Sequence, residues 1–71
     1  MNMNREEKNM ARVVGCPVSH YARYSDGFSF CVEGELNAYK AAYVYRHSDS
    51  VTVQESVTKG TWLVSVRNFK R

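Results

Sequence analysis

Two cysteines, one proline and four glycines are all that 71 residues contain of these types. Cys16 and Cys31 are too few for a disulfide scaffold, and they are read as reduced thiols. No apolar run approaches the roughly 18 to 20 residues that a membrane span needs. The opening stretch MNMNREEKNM mixes both charge signs and has no apolar core, which fits neither a signal peptide nor a targeting helix. The expected location is therefore cytoplasmic. An acidic excess is also lacking: 7 Asp and Glu stand against 10 Lys and Arg, a net charge of +3. That balance argues against a nucleic-acid mimic, and it permits an acidic partner without demanding one. There is no glycine-rich phosphate loop, repeat or low-complexity tract. The length leaves room for one modest core and no second one.

What is present in quantity is aromatic side chain. Nine aromatics in a chain that is 44% hydrophobic are too many for a disordered segment. A domain this small without staples is marginally stable, and a bound partner or a second copy can supplement it. Monomer and homodimer both remain open.

Residues 1–10 are polar and aperiodic, and read as a flexible N-terminal arm or a short, poorly anchored helix. Residues 11–71 read as a single domain. The β-branched run RVVGCPV, broken by Gly15 and Pro17, suits an edge strand or an irregular entry segment. A hairpin follows over VSHYARY-SDG-FSFCVE. A three-residue loop with Gly27 left-handed pairs Tyr24 with Phe28, Ala22 with Phe30 and His20 with Val32, on one mostly apolar face. In ELNAYKAAYVYRH the period becomes helical, with Asn37 as N-cap and Leu36 folding back on the first turn. Tyr39, Ala42 and Tyr43 are assigned to the sheet, whereas Ala41, Val44 and Tyr45 point away. The last hairpin pairs Val57 with Trp62, Glu55 with Val64, Val53 with Val66 and Val51 with Asn68 across a Lys59–Gly60 turn. The expected fold is α+β: an antiparallel sheet of four to five strands, covered on one face by a single short helix. Its order is strand-strand-helix-strand-strand.

Chemistry-bearing residues are sparse. Cys16, His20, Cys31 and His47 follow none of the paired zinc-ligand spacings, and no motif orients a base toward either thiol. Glu33 and Glu35 straddle Gly34 near a helix N-terminus, where a solvated acid is favourable. The reading is a protein that is not an enzyme and uses no metal or cofactor. Binding surfaces are the better prospect. Val44 and Tyr45 beside Lys40 and Arg46 form an apolar-aromatic patch. From Ser56 to the end there are four basic residues (Lys59, Arg67, Lys70 and Arg71) and no acid. With Phe69, this tail could track a phosphate backbone while the ring stacks on a base.

The stretch Leu36 to Lys70 carries a polar cap, an alanine-rich short helix and a polar turn. Thr52-Val53, Val57, Gly60, Trp62-Leu63-Val64 and a basic end follow. This order resembles certain small, basic, phage-encoded anti-CRISPR proteins, over about half the chain. The resemblance implies a helix-on-antiparallel-sheet fold and inhibition of type I surveillance complexes, by occupying the surface where guide RNA and target DNA pair. It also implies residence in the host cytoplasm. The leading expectation is thus a phage or mobile-element inhibitor that blocks a host protein or ribonucleoprotein complex by steric and electrostatic occupation. Lys40, Val44, Tyr45, Arg46, Lys59, Arg67, Phe69, Lys70 and Arg71 are its partner-binding candidates. The alternative is a small basic nucleic-acid-binding module, in which a homodimer would be natural.

Overall fold

A computed structural model describes residues 4–68, which form two helices and four strands. They run in the order α1 (Arg5–Val14), β1 (Ser19–Tyr24), β2 (Gly27–Glu33), α2 (Glu35–Val44), β3 (Ser50–Glu55) and β4 (Thr61–Arg67). The α+β class and the antiparallel sheet stand as expected. The single helix and the fifth strand do not, because RVVGCPV contributes the end of α1 and its turn.

Local chemistry explains α1. The Asn4 side chain accepts the Glu7 amide, and the Glu7 carboxylate accepts the Asn4 amide, a reciprocal capping box. Glu6 and Glu7 lie at the positive end of the dipole and Arg12 at the negative end. Gly15 closes the helix at φ 83°, its N–H donating to the Ala11 carbonyl, a left-handed cap that glycine adopts without strain. The helix docks through buried Val14, with Met10 and Ala11 against the core. Glu7 also accepts the Tyr21 amide at 3.2 Å, tying α1 to β1. Residues 5–10 are thus the first turns of this helix.

The hydrogen bonds from the Asn4 amide, and then from the Tyr21 amide, hold the Glu7 carboxyl below its usual value. A depressed folded value means that the unfolded chain protonates first. The Glu7 contribution is therefore present above the unfolded value and lost as pH falls through the folded one. Thermal unfolding followed by circular dichroism should show a steeper loss of Tm between about pH 5 and pH 3 in the native chain than in Glu7→Gln.

The sheet order is β1-β2-β4-β3, antiparallel throughout. Phe28, Phe30 and Val32 lie opposite Val66, Val64 and Trp62, on the face that both helices cover. The first hairpin differs from the expected register by one residue. Tyr24 pairs with Gly27 and Arg23 with Phe28, across a two-residue Ser25–Asp26 turn. Gly27 is strand backbone with no positive φ. A Cβ there would run into the Val66 carbonyl oxygen, so glycine serves close strand approach and not turn conformation. The slip moves Ala22 and Tyr24 to the open face, where the Tyr24 hydroxyl lies 3.2 Å from that of Ser29. It also brings Tyr21 to stack on Phe28 at 6.1 Å. The left-handed residue is instead His20, φ 55°, where the β1–β2 register breaks between Ser19 and Ala22.

The second hairpin slips by two. Val51 faces Val66, Val53 faces Val64 and Glu55 faces Trp62. A shift of two preserves the pleat, so the valine face is retained. Val57 leaves the strand and is fully exposed in the loop. Gly60, at φ 85°, turns the chain, and its carbonyl accepts the Gly34 amide from the end of β2. That bond helps start β4 at Thr61.

The core comprises Val14, Val18, Phe30, Val32, Ala38, Ala41, Tyr45, Val64 and Val66. Helix α2 packs against β2, β3 and β4, and α1 against α2 and β1. Among the described residues, no helix is long and apolar enough to cross a membrane.

Candidate docking surface on helix α2

Helix α2 is rotated from the expected orientation. Ala41 and Tyr45 turn inward and Tyr39 and Tyr43 outward, whereas Ala38 and Ala42 stay toward the core and Val44 outward, as expected. Ala38 and Ala41 are fully buried, and Tyr45 at the C-terminal cap is 7% exposed. Tyr39 and Tyr43 face outward at 54% and 65% exposed. Size decides the orientation. Two alanines let the helix axis approach the sheet closely, and the single ring of Tyr45 fills the end of the interface. It meets Phe28 edge-on at 5.1 Å and Phe30 at 6.4 Å, and its hydroxyl donates to the Met10 sulfur at 2.9 Å. Burial, and then the neighbouring Tyr21, push the Tyr45 hydroxyl above its usual value. As a partner anchor Tyr45 is therefore corrected: it belongs to the core. Asn37 does not cap the helix. Gly34 holds that position at φ 84°, and the Asn37 amide donates to the Glu33 carbonyl at 2.9 Å. Leu36 is 70% exposed and staples nothing.

The outward face of α2 carries Leu36, Tyr39, Lys40 and Tyr43 at helical spacing, with exposed Val44 beside them. Arg46 completes it. Its guanidinium donates to the Tyr43 carbonyl at 2.9 Å and lies 4.1 Å over the Tyr43 ring, a cation–π contact that orients both groups. Between this face and β3 runs a groove of about 540 Å³, lined by Tyr39, Ala42, Tyr43, Arg46, Ser48, Asp49, Val51 and Val53.

The remaining candidates do not gather here. Lys59 is exposed on the β3–β4 loop, near the start of α2 through the Gly34–Gly60 bond. Arg67 lies on the face away from the helices, bonded to Asp26 at 2.8 Å and stacked 4.7 Å over the Tyr24 ring. That exposed ion pair adds little stability, but it engages the cation that a basic strand would offer a partner. Phe69, Lys70 and Arg71 lie outside the described residues.

Sequence reasoning missed Tyr39 and Tyr43 by assigning them to the core. A signal was present: the apolar residues of α2 go all round the helix, small ones at 38, 41 and 42 and large ones at 36, 39 and 43. A helix apolar on two sides has a second face to cover.

A larger open cleft of about 940 Å³ lies between the end of α1 and the first hairpin, over Met10, Tyr21, Phe28 and Tyr45. No cysteine or histidine lines it. Burial pushes the Cys16 thiol up, against the opposing pull of Lys40. Burial also raises Cys31, against a hydrogen bond with the Ser56 side chain. No group of three His, Cys, Asp or Glu side chains among the described residues has the arrangement of a metal site.

No family model matches the chain, and no curated protein or solved structure matches it either.

Proposed function

We propose that this chain is a non-enzymatic binding protein that recognises a protein partner through the outward face of α2. The observation that carries the reading is the exposure of Tyr39 and Tyr43, with Leu36 and Val44, on a helix whose inner face already closes the core. Tyrosine and arginine dominate the residues that anchor interfaces. A tyrosine held under a guanidinium presents area with little side-chain entropy left to lose. Lys40 and Arg46 flank the rings with positive charge and suit a partner surface bearing carboxylates.

In its sharpest form the reading is an inhibitor that occupies the working surface of a host ribonucleoprotein complex, as the resemblance to anti-CRISPR proteins implies. Steric occupation needs no catalytic group. It needs a rigid face with exposed anchors, which α2 supplies.

Affinity capture with the tagged 71-residue chain in host lysate, with and without nuclease, tests the reading. Stoichiometric capture should survive nuclease and fall at least about tenfold in the Lys40→Glu/Arg46→Glu variant, with association slowed most. Loss of capture on nuclease treatment would favour direct nucleic-acid binding, with its steep salt dependence. Arg67→Glu should change capture little, because that guanidinium already serves Asp26 and Tyr24.

A further inference from the structure

We propose that β3 is a strand acceptor. An extended segment of a protein partner, apolar at alternate positions and ending in Lys or Arg on both sides, adds to the sheet along Ser50–Glu55. Its inward side chains then enter the groove between α2 and β3. This deepens the binding reading above and rests on it in taking the occupant to be a protein.

The ladder supplies the template. Strand β3 is an edge of the sheet. The Ser56 amide donates to the Thr61 carbonyl, in the register that pairs Thr52 with Ser65 and Gln54 with Leu63. Antiparallel bonding alternates, so Ser50, Thr52, Gln54 and Ser56 bond to β4. The N–H and C=O groups of Val51, Val53 and Glu55 then point outward along the free edge. Natural edges are usually blunted by proline, lysine or a bulge. The β1 edge is blunted by its register break and the left-handed His20. Strand β3 has a regular six-residue register and contains neither proline nor lysine.

Two further observations bear on the occupant. The groove beside the edge is lined by the Tyr39 and Tyr43 rings and by Val51 and Val53, so alternate side chains of an added strand would meet an apolar-aromatic slot. The Ser48 hydroxyl lines the same groove and is buried with no hydrogen-bond partner among the described residues. Charge then selects the partner. Exposed Asp49 and Glu55 stand at the two ends of the strand. Arg46, which shares the groove lining with Asp49, is held on the Tyr43 carbonyl and ring. It therefore faces the α2 side of the partner, and the carboxylates face the added strand.

A second copy fits less well. Self-pairing that keeps both helix layers on one face must centre on a single residue. Centred on Thr52, it sets Asp49 against Glu55 at both ends. Centred on Val53, it sets Glu55 against Val51 in the slot. A strand with basic ends has neither conflict.

The test uses the isotopically labelled 71-residue chain and the capped heptapeptide Lys-Thr-Val-Thr-Val-Thr-Lys, whose lysines and valines share one face, with a Glu-ended counterpart. The Lys-ended peptide should slow amide exchange at Val51, Val53 and Glu55, and bind at least about tenfold more tightly than the Glu-ended one. The Asp49→Lys/Glu55→Lys variant should reverse that preference, and Val53→Pro should abolish binding with the circular dichroism spectrum retained. If Val53→Pro unfolds the chain, the charge-reversed variant still decides. Unchanged exchange at the three amides, or equal binding of both peptides, would overturn the proposal. So would protection that rises with protein concentration in the absence of peptide, which assigns the edge to a second copy. Partner capture that depends on Lys40 and Arg46 while both peptides leave β3 untouched would sink the strand acceptor and leave the α2 reading standing.

Discussion

Phe30→Ala should lower the unfolding free energy by about 3–5 kcal/mol, from roughly a quarter of the total to all of it. Phe30 is fully buried on the central strand β2, opposite Val64 and stacked 6.2 Å from Phe28. Truncating a buried phenylalanine costs about 3–5 kcal/mol, combining lost transfer energy with the cavity left behind. At roughly 0.05–0.15 kcal/mol per residue, a chain of this length holds about 4–11 kcal/mol in total. The mutation therefore consumes a large share of the whole. Urea unfolding should show a much lower midpoint, and Phe30→Leu, which keeps most of the volume, should recover more than half of the loss. An alanine variant melting within a few degrees of the native chain would refute this account of the core.

The double variant Tyr39→Ala/Tyr43→Ala should behave in the opposite way. Both rings are more than half exposed, and alanine is the better helix former, so stability should stay within about 0.5 kcal/mol of the native value. Partner affinity should nevertheless fall by about a hundredfold or more. Truncating an anchoring tyrosine typically costs at least about 2 kcal/mol, and Arg46 loses the ring that orients it. Tyr45→Ala makes the useful contrast. It removes a buried ring beside Phe28, so it should lower stability first. Titration calorimetry against the captured partner, paired with thermal unfolding, separates the two classes. Undiminished affinity in a folded Tyr39/Tyr43 variant would remove α2 as the recognition surface.

These variants also mark where the sequence was legible. The strands β1 to β4, the turn regions and the helical period after Gly34 can all be read from it, because alternation and the helical repeat are local properties. The Asn4–Glu7 box and Gly15 mark both ends of α1 just as locally. They pass unnoticed because the helix has a narrow apolar stripe, Met10, Ala11 and Val14, and ends in β-branched valines. The candidate site is only partly legible. Lys40, Val44 and Arg46 lie on or beside the outward face, but Tyr45 turns inward, and the tyrosines that face out were spent on the core.

Pairing and orientation are decided elsewhere. Gly27 reads equally well as a left-handed turn residue and as a strand residue, until the Val66 carbonyl occupies the place of its missing side chain. Val57 fits the valine face, until the pairing of Glu55 with Trp62 and the Ser56–Thr61 bond leave it in the loop. The apolar residues of α2 suit a sheet on either side, until two alanines and one capping tyrosine prove the closer fit. The amino-acid sequence by itself determines the α+β class, the positions of the four strands within a count of four to five, and the absence of any long apolar span. Only the tertiary structure decides the register of both hairpins, the face that α2 buries and the engagement of Arg67. The reason is physical: periodicity is carried by neighbours along the chain, whereas register, helix rotation and ion pairing depend on volumes and backbone groups from distant segments.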